Sequence, residues 1–171
     1  MINRELTDPK SIVVVGGSND LQKPGGKIIK NILDGEYKGR LMALNPKEDI
    51  VQGIDSFRDI HLLPDVELAI IAIAAKYVPD TVSVLTKEKK TKAFIIISAG
   101  FSEESEEGRG IERKTVEIIN NAGGSLIGPN CIGVLTPAYH GVFTLPVPKL
   151  SLEGCDFISG SGATACFIME N

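Results

Sequence analysis

Ser11-Ile12-Val13-Val14-Val15-Gly16-Gly17-Ser18-Asn19, residues 11–19, is the stretch that decides the fold. Ile12 to Val15 is β-branched with no polar alternation, so it reads as a strand buried on both faces, ended by Gly16-Gly17. Pro24-Gly25-Gly26 then leads into Lys27 to Asp34, where Ile28, Ile29, Ile32 and Leu33 share one helical face. Gly35 stands where a left-handed helix cap is expected. Strand, glycine-rich turn and helix in this order present bare backbone N–H groups at the carboxyl end of the strand, aimed at an anion.

The same rhythm continues outward. Arg40 to Leu44 is a second strand closed by Asn45-Pro46, and Leu68 to Ile73 is a third. Pro79 falls at a first helical position, with Val78, Val82 and Leu85 on one face. Ala93 to Ile97 is a fourth strand, and Ile111, Thr115, Ile118, Ile119 and Ala122 carry helical spacing up to Gly123-Gly124. Leu126-Ile127 and Ile132 to Leu135 add short strands around Gly128-Pro129-Asn130. Apolar strands alternating with amphipathic helices predict an α/β protein, a Rossmann-like, doubly wound parallel sheet over residues 1–137.

Pro137, Pro146 and Pro148 interrupt the rhythm, so residues 138–153 are expected to form an extended linker. Residues 154–159 resume a strand pattern with Cys155, Phe157 and Ile158, and Gly160-Ser161-Gly162 turns into a helical stretch, Ala163 to Asn171. Residues 154–171 thus read as the first βα unit of a truncated second domain, and the chain as a fragment of a longer polypeptide. The alternative is an extra βα element on the main sheet.

Composition narrows the function classes. Hydrophobic residues make up 43% and charged residues 23%, a globular balance. A net charge of -4 gives no field to recruit nucleic acid or an anionic membrane, so an anionic ligand must be held locally. The longest apolar run, Leu68 to Ala75, is far short of the about 20 residues of a membrane span. Met1 to Lys10 has no apolar signal-peptide core, and Cys131, Cys155 and Cys166 follow no metal-ligand spacing. A cytoplasmic protein with reduced thiols is the expectation.

The strict G-x-G-x-x-G spacing is absent from the first loop, which leaves a plain tight turn as an alternative. More discriminating is the end of the second strand, where an NAD-binding protein places Asp or Glu against the ribose hydroxyls. Here Leu44 is followed by Asn45-Pro46-Lys47. A lysine suits a ribose that carries phosphate, coenzyme A (CoA) with its 3′-phosphate first and NADP second, beside the bland reading of a solvated surface lysine. His61 and His140 read as structural, and Cys131, with no histidine near it, as a packing or ligand-lining residue. The acidic run Glu103 to Glu107 reads as a helix opening rather than a metal loop, and no metal site is expected.

Four motifs in order, Lys23-Pro24-Gly25, Asn45-Pro46-Lys47, Ile97-Ser98-Ala99-Gly100-Phe101 and Gly128-Pro129-Asn130-Cys131-Ile132-Gly133, resemble the CoA-binding domain of NDP-forming acyl-CoA synthetases. That group is related to the α subunit of succinyl-CoA synthetase, and the resemblance runs from about Ser11 to the last residue. It implies that Gly16, Gly17, Ser18, Asn19, Lys23, Pro24 and Gly25 hold the CoA phosphates. Pro46 and Lys47 hold the 3′-phosphoadenosine end. Ile73, Ala74, Ser98, Ala99 and Gly100 line the adenine and pantetheine path, with Asn130 and Cys131 toward the thiol. Ser159, Gly160, Ser161 and Gly162 resemble the turn opening a second, flavodoxin-like domain, whose helix N-terminus helps hold a phosphoryl group. The implied reaction joins an acid to CoA through an acyl phosphate and a phosphohistidine. The histidine, and the sites for ATP or GTP and Mg, belong to domains or a β subunit outside this chain, so no catalytic residue is expected within it and no activity of the chain alone. The alternatives are a stand-alone CoA-binding or sensing protein, the CoA part of an acetyltransferase fusion, and an NADP-binding oxidoreductase.

Overall fold

The computed structural model describes residues 2–151, 153 and 155–170. Five strands form a parallel core: β1 (Ser11–Val15), β2 (Arg40–Leu44), β5 (Leu68–Ile71), β6 (Ala93–Ile96) and β7 (Ser125–Ile127). Two further strands, β3 (Ile50–Val51) and β4 (Ile54–Phe57), extend it beyond β2, giving the order β3-β4-β2-β1-β5-β6-β7. The chain winds outward from β1 in both directions, so the topological switch lies between β1 and β5.

Alternation within each apolar strand sends residues to two different cores. Val13, Val15, Ala69, Ile71, Phe94 and Ile96 face α3 (Val78–Glu88) and α4 (Glu106–Asn121) through Val78, Val82, Leu85 and Ile119. Ile12, Val14, Leu68, Ile70, Ala93 and Ile95 face the opposite side, where α2 (Pro24–Asp34) contributes Ile28, Ile29 and Ile32. Both faces are therefore dry, as the unbroken hydrophobicity of these strands requires. A short α1 (Arg4–Thr7) tucks Leu6 into the second core. Ser105 caps α4 by accepting from the Gly108 N–H at 3.0 Å, and Glu106 and Glu107 fill the first turn, so the acidic run does open a helix.

Several local expectations need correction. Strand β8 (Gly133–Leu135) does not join the main sheet but pairs antiparallel with β9 (His140–Val142). The expected linker 138–153 consequently starts later than proline content implied. Tyr139 is fully buried in the α2-side core and its hydroxyl donates to the Leu6 carbonyl at 2.7 Å. Asn31 of α2 donates to the Val142 and Thr144 carbonyls at 2.7 and 3.2 Å. Prolines limit a segment's own hydrogen bonding, but they do not prevent flanking residues from docking.

Gly35 has φ −77° and is not the left-handed cap; Glu36, at φ 52°, is. Glycine is needed at 35 because the His140 ring lies against it, where a Cβ would come 2.5 Å from Nδ1. The strand expected over 154–159 is also absent from 155–159: Phe157 and Ile158 are 53% and 80% exposed, and no strand among the described residues pairs with them. Gly154 lies outside the described residues. The expected helix is present as α5 (Gly162–Glu170), with no buried residue; Asn171 again lies outside the described set.

If residues 138–144 belong to the folded unit, Tyr139→Phe should cost about 1–2 kcal/mol by leaving the buried Leu6 carbonyl without its partner. Tyr139→Ala should cost about 3–5 kcal/mol. Urea denaturation measures both, and a linker residue would give less than about 0.5 kcal/mol in either case.

Candidate functional site at the carboxyl edge of the sheet

Five connections leave the carboxyl ends of the parallel strands along one rim. Gly16-Gly17 follows β1, Asn45-Pro46-Lys47 follows β2, Ile73-Ala74 follows β5, Ser98-Ala99-Gly100 follows β6 and Asn130-Cys131 follows β7. The sequence-predicted residues of the main sheet are thus brought to one edge, straddling the switch point.

The first loop is held by close backbone approach. Gly16 has φ +85°, and a Cβ there would lie 2.6 Å from the Ala72 carbonyl oxygen. At Gly25, in the first turn of α2, a Cβ would collide with the Gly16 carbonyl. The glycines therefore serve to pack the helix N-terminus onto the strand exit, a role beyond leaving room for an anion. The N–H groups of Ser18, Asn19 and Gly25 have no hydrogen-bond partner among the described residues. A helix N-terminus with unsatisfied N–H groups carries positive partial charge.

Asn45 links this loop to the next. Its side-chain amide donates to the Gly17 carbonyl at 2.8 Å, and its Oδ1 accepts from the Lys47 N–H at 2.9 Å. Such an Asx turn fixes the backbone that carries Lys47. The Lys47 side chain is exposed, and neither its ammonium nor that of Lys23, at the N-cap of α2, pairs with any described residue. The loop does contain carboxylates beyond Lys47, but both are engaged. Glu48 accepts from the Asn19 side chain, and Asp49 is gripped by Arg58 through two bonds of 2.7 Å.

On the other side of the switch, Ser98 ties three turns together. Its hydroxyl donates to the Ile73 carbonyl and its own carbonyl accepts from the Asn130 N–H at 3.0 Å. Asn130 is exposed with φ 53°, after a cis Gly128–Pro129 bond. Cys131 is half-buried and its thiol donates to the Ile96 carbonyl at 3.3 Å. Burial pushes that thiol's pKa up, which suits a packing group and not a nucleophile. His140 is depressed by burial and packs on Gly35, and His61 bonds Glu88 at 2.8 Å on an exposed turn, so neither faces the rim. No group of metal-ligating side chains occurs among the described residues.

Among the described residues, no hydrogen bond draws Ser159, Gly160, Ser161 and Gly162 into this edge. Ser161 caps α5, and the turn meets the sheet domain where a Cβ on Gly162 would come 3.1 Å from Ile132. Two surface clefts lie away from the rim, one on the outer face of α4 around Arg109 and Arg113, the other around Lys10, Tyr37 and Arg40.

The family model for the CoA binding domain matches residues 10–137, the segment that builds the sheet and rim. The chain belongs to the CoA-binding domain family. Among curated members of this kind, the α subunit of acetate–CoA ligase (ADP-forming) II from Pyrococcus furiosus is 38% identical over 95% of this chain and 35% of its own length. The 4-hydroxybutyrate–CoA ligase (ADP-forming) of Nitrosopumilus maritimus is 31% identical over 100% of this chain and 25% of its own. The fold of this CoA-binding domain also matches PH0766 from Pyrococcus horikoshii OT3, with TM-score 0.89 and 36% identity over 99% of this chain and 38% of that one. It matches the dinucleotide forming acetyl-coenzyme A synthetase 1 of Ca. Korarchaeum cryptofilum in complex with phosphate and ADP, with TM-score 0.85 and 30% identity over 98% and 36%. The chain therefore spans a quarter to two-fifths of these relatives.

One residue of the site escaped the sequence reading. Gln52, at the tip of the β3–β4 hairpin, donates from its side chain to the Ser18 and Gly26 carbonyls. Val51-Gln52-Gly53-Ile54 is a two-residue turn with Gly second, and Gln52 and Gly53 have φ 49° and 84°. An X-Gly pair between β-branched residues is the signal that would have revealed the hairpin.

Glu103 offers a test of the turn after β6. Its carboxylate accepts from the Gly100 and Phe101 N–H groups at 2.7 and 3.2 Å. Desolvation works against its charge, yet these bonds and its own N–H hold the carboxyl below its ordinary value of 4.5. A depressed folded-state pKa contributes stability above the ordinary value and loses it as pH falls through the folded value. Glu103→Ala should therefore speed amide exchange of Gly100 and Phe101 at neutral pH, and the difference from wild type should close as the pH falls below the carboxylate range.

Proposed function

We propose that the chain is the CoA-binding module of an NDP-forming acyl-CoA synthetase, an acid–thiol ligase that converts an acid, CoA and a nucleoside triphosphate to acyl-CoA, nucleoside diphosphate and phosphate. The observation that carries this reading is a pair of anion-ready features on the neighbouring loops after β1 and β2, beside the switch point, in a CoA-binding family member. They are the N–H groups of Ser18, Asn19 and Gly25 and the ammonium of Lys47, on a loop braced by Asn45, none of which has a partner among the described residues. The residues fit the ligand's chemistry, since a diphosphate matches convergent N–H donors and a 3′-phosphate matches a point charge.

The division of labour follows from the charges. With a net charge of -4, the chain gains nothing from long-range attraction to polyanionic CoA, so binding rests on local donors. Gly16, Gly17, Ser18 and Asn19 with Lys23, Pro24 and Gly25 receive the diphosphate, and Pro46 and Lys47 the 3′-phosphoadenosine. Ile73, Ala74, Ser98, Ala99 and Gly100 guide the pantetheine toward Asn130 and Cys131. Acid activation, the phosphohistidine and the sites for ATP or GTP with Mg belong to the other synthetase domains or a β subunit. The turn Ser159-Gly160-Ser161-Gly162 contributes to phosphoryl binding once those parts are docked. In this reading residues 1–137 are the CoA domain, with 138–144 packed onto it, the connection runs from there to 153, and 154–171 opens the second, flavodoxin-like domain. CoA contributes the thiol that accepts the acyl group, and this chain binds and orients it.

Isothermal titration with CoA, dephospho-CoA and NADP tests the ligand. CoA should bind, dephospho-CoA more weakly, and NADP not at all; NADP binding in place of CoA would overturn the reading. Lys47→Ala should weaken CoA by about tenfold or more while leaving dephospho-CoA nearly unchanged, because a charge-assisted contact contributes about 1.5–3 kcal/mol. Equal loss for both ligands would remove Lys47 from the 3′-phosphate site. The purified chain should show no acid-dependent CoA ligation by itself, and turnover would refute its role as a module.

A further inference from the structure

The β3–β4 hairpin stands at the edge of the sheet beside the first loop, and its tip reaches into that loop through a single side chain. The Gln52 carboxamide donates to the Ser18 carbonyl at 2.8 Å and to the Gly26 carbonyl at 2.9 Å, which uses both of its N–H bonds. Its backbone N–H donates to Asn19 Oδ1 at 2.7 Å, while the Asn19 amide donates to Glu48 and to the Ile50 carbonyl at 3.3 Å. The loop after β1 and the first turn of α2 are thus clasped together from outside, by a residue distant from both in sequence.

The consequence follows from peptide geometry. In a trans peptide the C=O and N–H point in opposite directions. With the Ser18 carbonyl anchored to Gln52, the N–H of Asn19 in the same peptide unit is turned away from the hairpin. The second anchor, on Gly26, keeps the start of α2 at a fixed distance from that peptide. Without these anchors the Ser18–Asn19 peptide, which leads from buried Ser18 to exposed Asn19, can rotate and offer a carbonyl, which repels an anion.

We propose that Gln52 is a positioning residue for diphosphate recognition, acting through the Ser18–Asn19 peptide and the α2 N-terminus without touching the ligand. This rests on the CoA-binding reading above and deepens it by assigning what preorganises the anion site. Preorganised donors bind more tightly because no ordering cost falls on the binding step.

The test uses the full chain with Gln52→Gly and Gln52→Met. Gln52 sits at φ 49°, a left-handed conformation that glycine adopts without strain, so Gln52→Gly keeps the turn while removing the side chain that carries both donors. Gln52→Met keeps the volume of the side chain and serves if the glycine variant folds poorly. Expected is a melting temperature close to wild type, with CoA and dephospho-CoA both weakened by about tenfold, so that their ratio is preserved. In two-dimensional NMR the Asn19 amide should shift on adding CoA to wild type and lose that response in the variants. Unchanged CoA affinity in a folded variant would overturn the inference. So would a loss of affinity that tracks a fall in melting temperature while the Asn19 amide still responds, since that marks a purely structural residue. Failure of wild type to bind CoA would instead overturn the ligand reading itself, and the inference with it.

Discussion

The contact between the first turn of α2 and the exit of β1 is the constraint on which the rest of this structure depends. Gly25 lies so close to the Gly16 carbonyl that no side chain fits between them, and Gly16 itself adopts a left-handed conformation against Ala72. Backbone-on-backbone packing of this kind fixes where α2 starts, and therefore which of its residues meet the sheet. Ile28, Ile29 and Ile32 then fall onto the face formed by Ile12, Val14, Leu68 and Ile70. The same contact leaves the helix N-terminus open at the rim. Core packing and ligand recognition are thus two results of one close approach.

Cross-links between loops, more than any enclosed cavity, organise the rim. Asn45 binds the second loop to the first, Ser98 joins the turns after β5, β6 and β7, and Gln52 clasps the first loop from the sheet edge. Asn45, Gln52 and the Ser98 hydroxyl bond to backbone groups through side chains, and the Ser98 carbonyl adds a backbone link to Asn130. Loops that end parallel strands have no ladder partners of their own, so their carbonyls and N–H groups need other partners to keep one conformation. The groups left unpaired among the described residues, such as the Ser18 and Asn19 N–H, are then conspicuous because their neighbours are satisfied.

What could be read from the residues alone follows this division. The strands of the parallel core were legible because burial on both faces demands unbroken apolar runs, as in Ile12–Val15 and Leu68–Ile71. Asn45-Pro46-Lys47 was legible as the connection that closes β2 at the sheet's carboxyl edge, because the proline ends the strand there. The β3–β4 hairpin was not, since two- and four-residue strands containing Asp55 and Ser56 carry little apolar signal. Tyr139 was hidden by its neighbours: Pro137, Pro146 and Pro148 describe the local chain, whereas its burial is set by Leu6 and α2, far away in sequence. Gly35 was given the wrong reason, because its true neighbour is the His140 ring and periodicity says nothing of such contacts.

The hairpin also changes what the sheet presents to other molecules. A parallel sheet ending at β2 would expose a row of unpaired backbone groups along a strand of five residues. Capping it with β4 and then with the two-residue β3 leaves a short antiparallel margin, flanked by the Asp49–Arg58 pair and by Asp55. Short, charged edges are poor templates for strand addition by a neighbouring chain. Resistance to edge-to-edge aggregation is therefore built into the same few residues that steady the first loop.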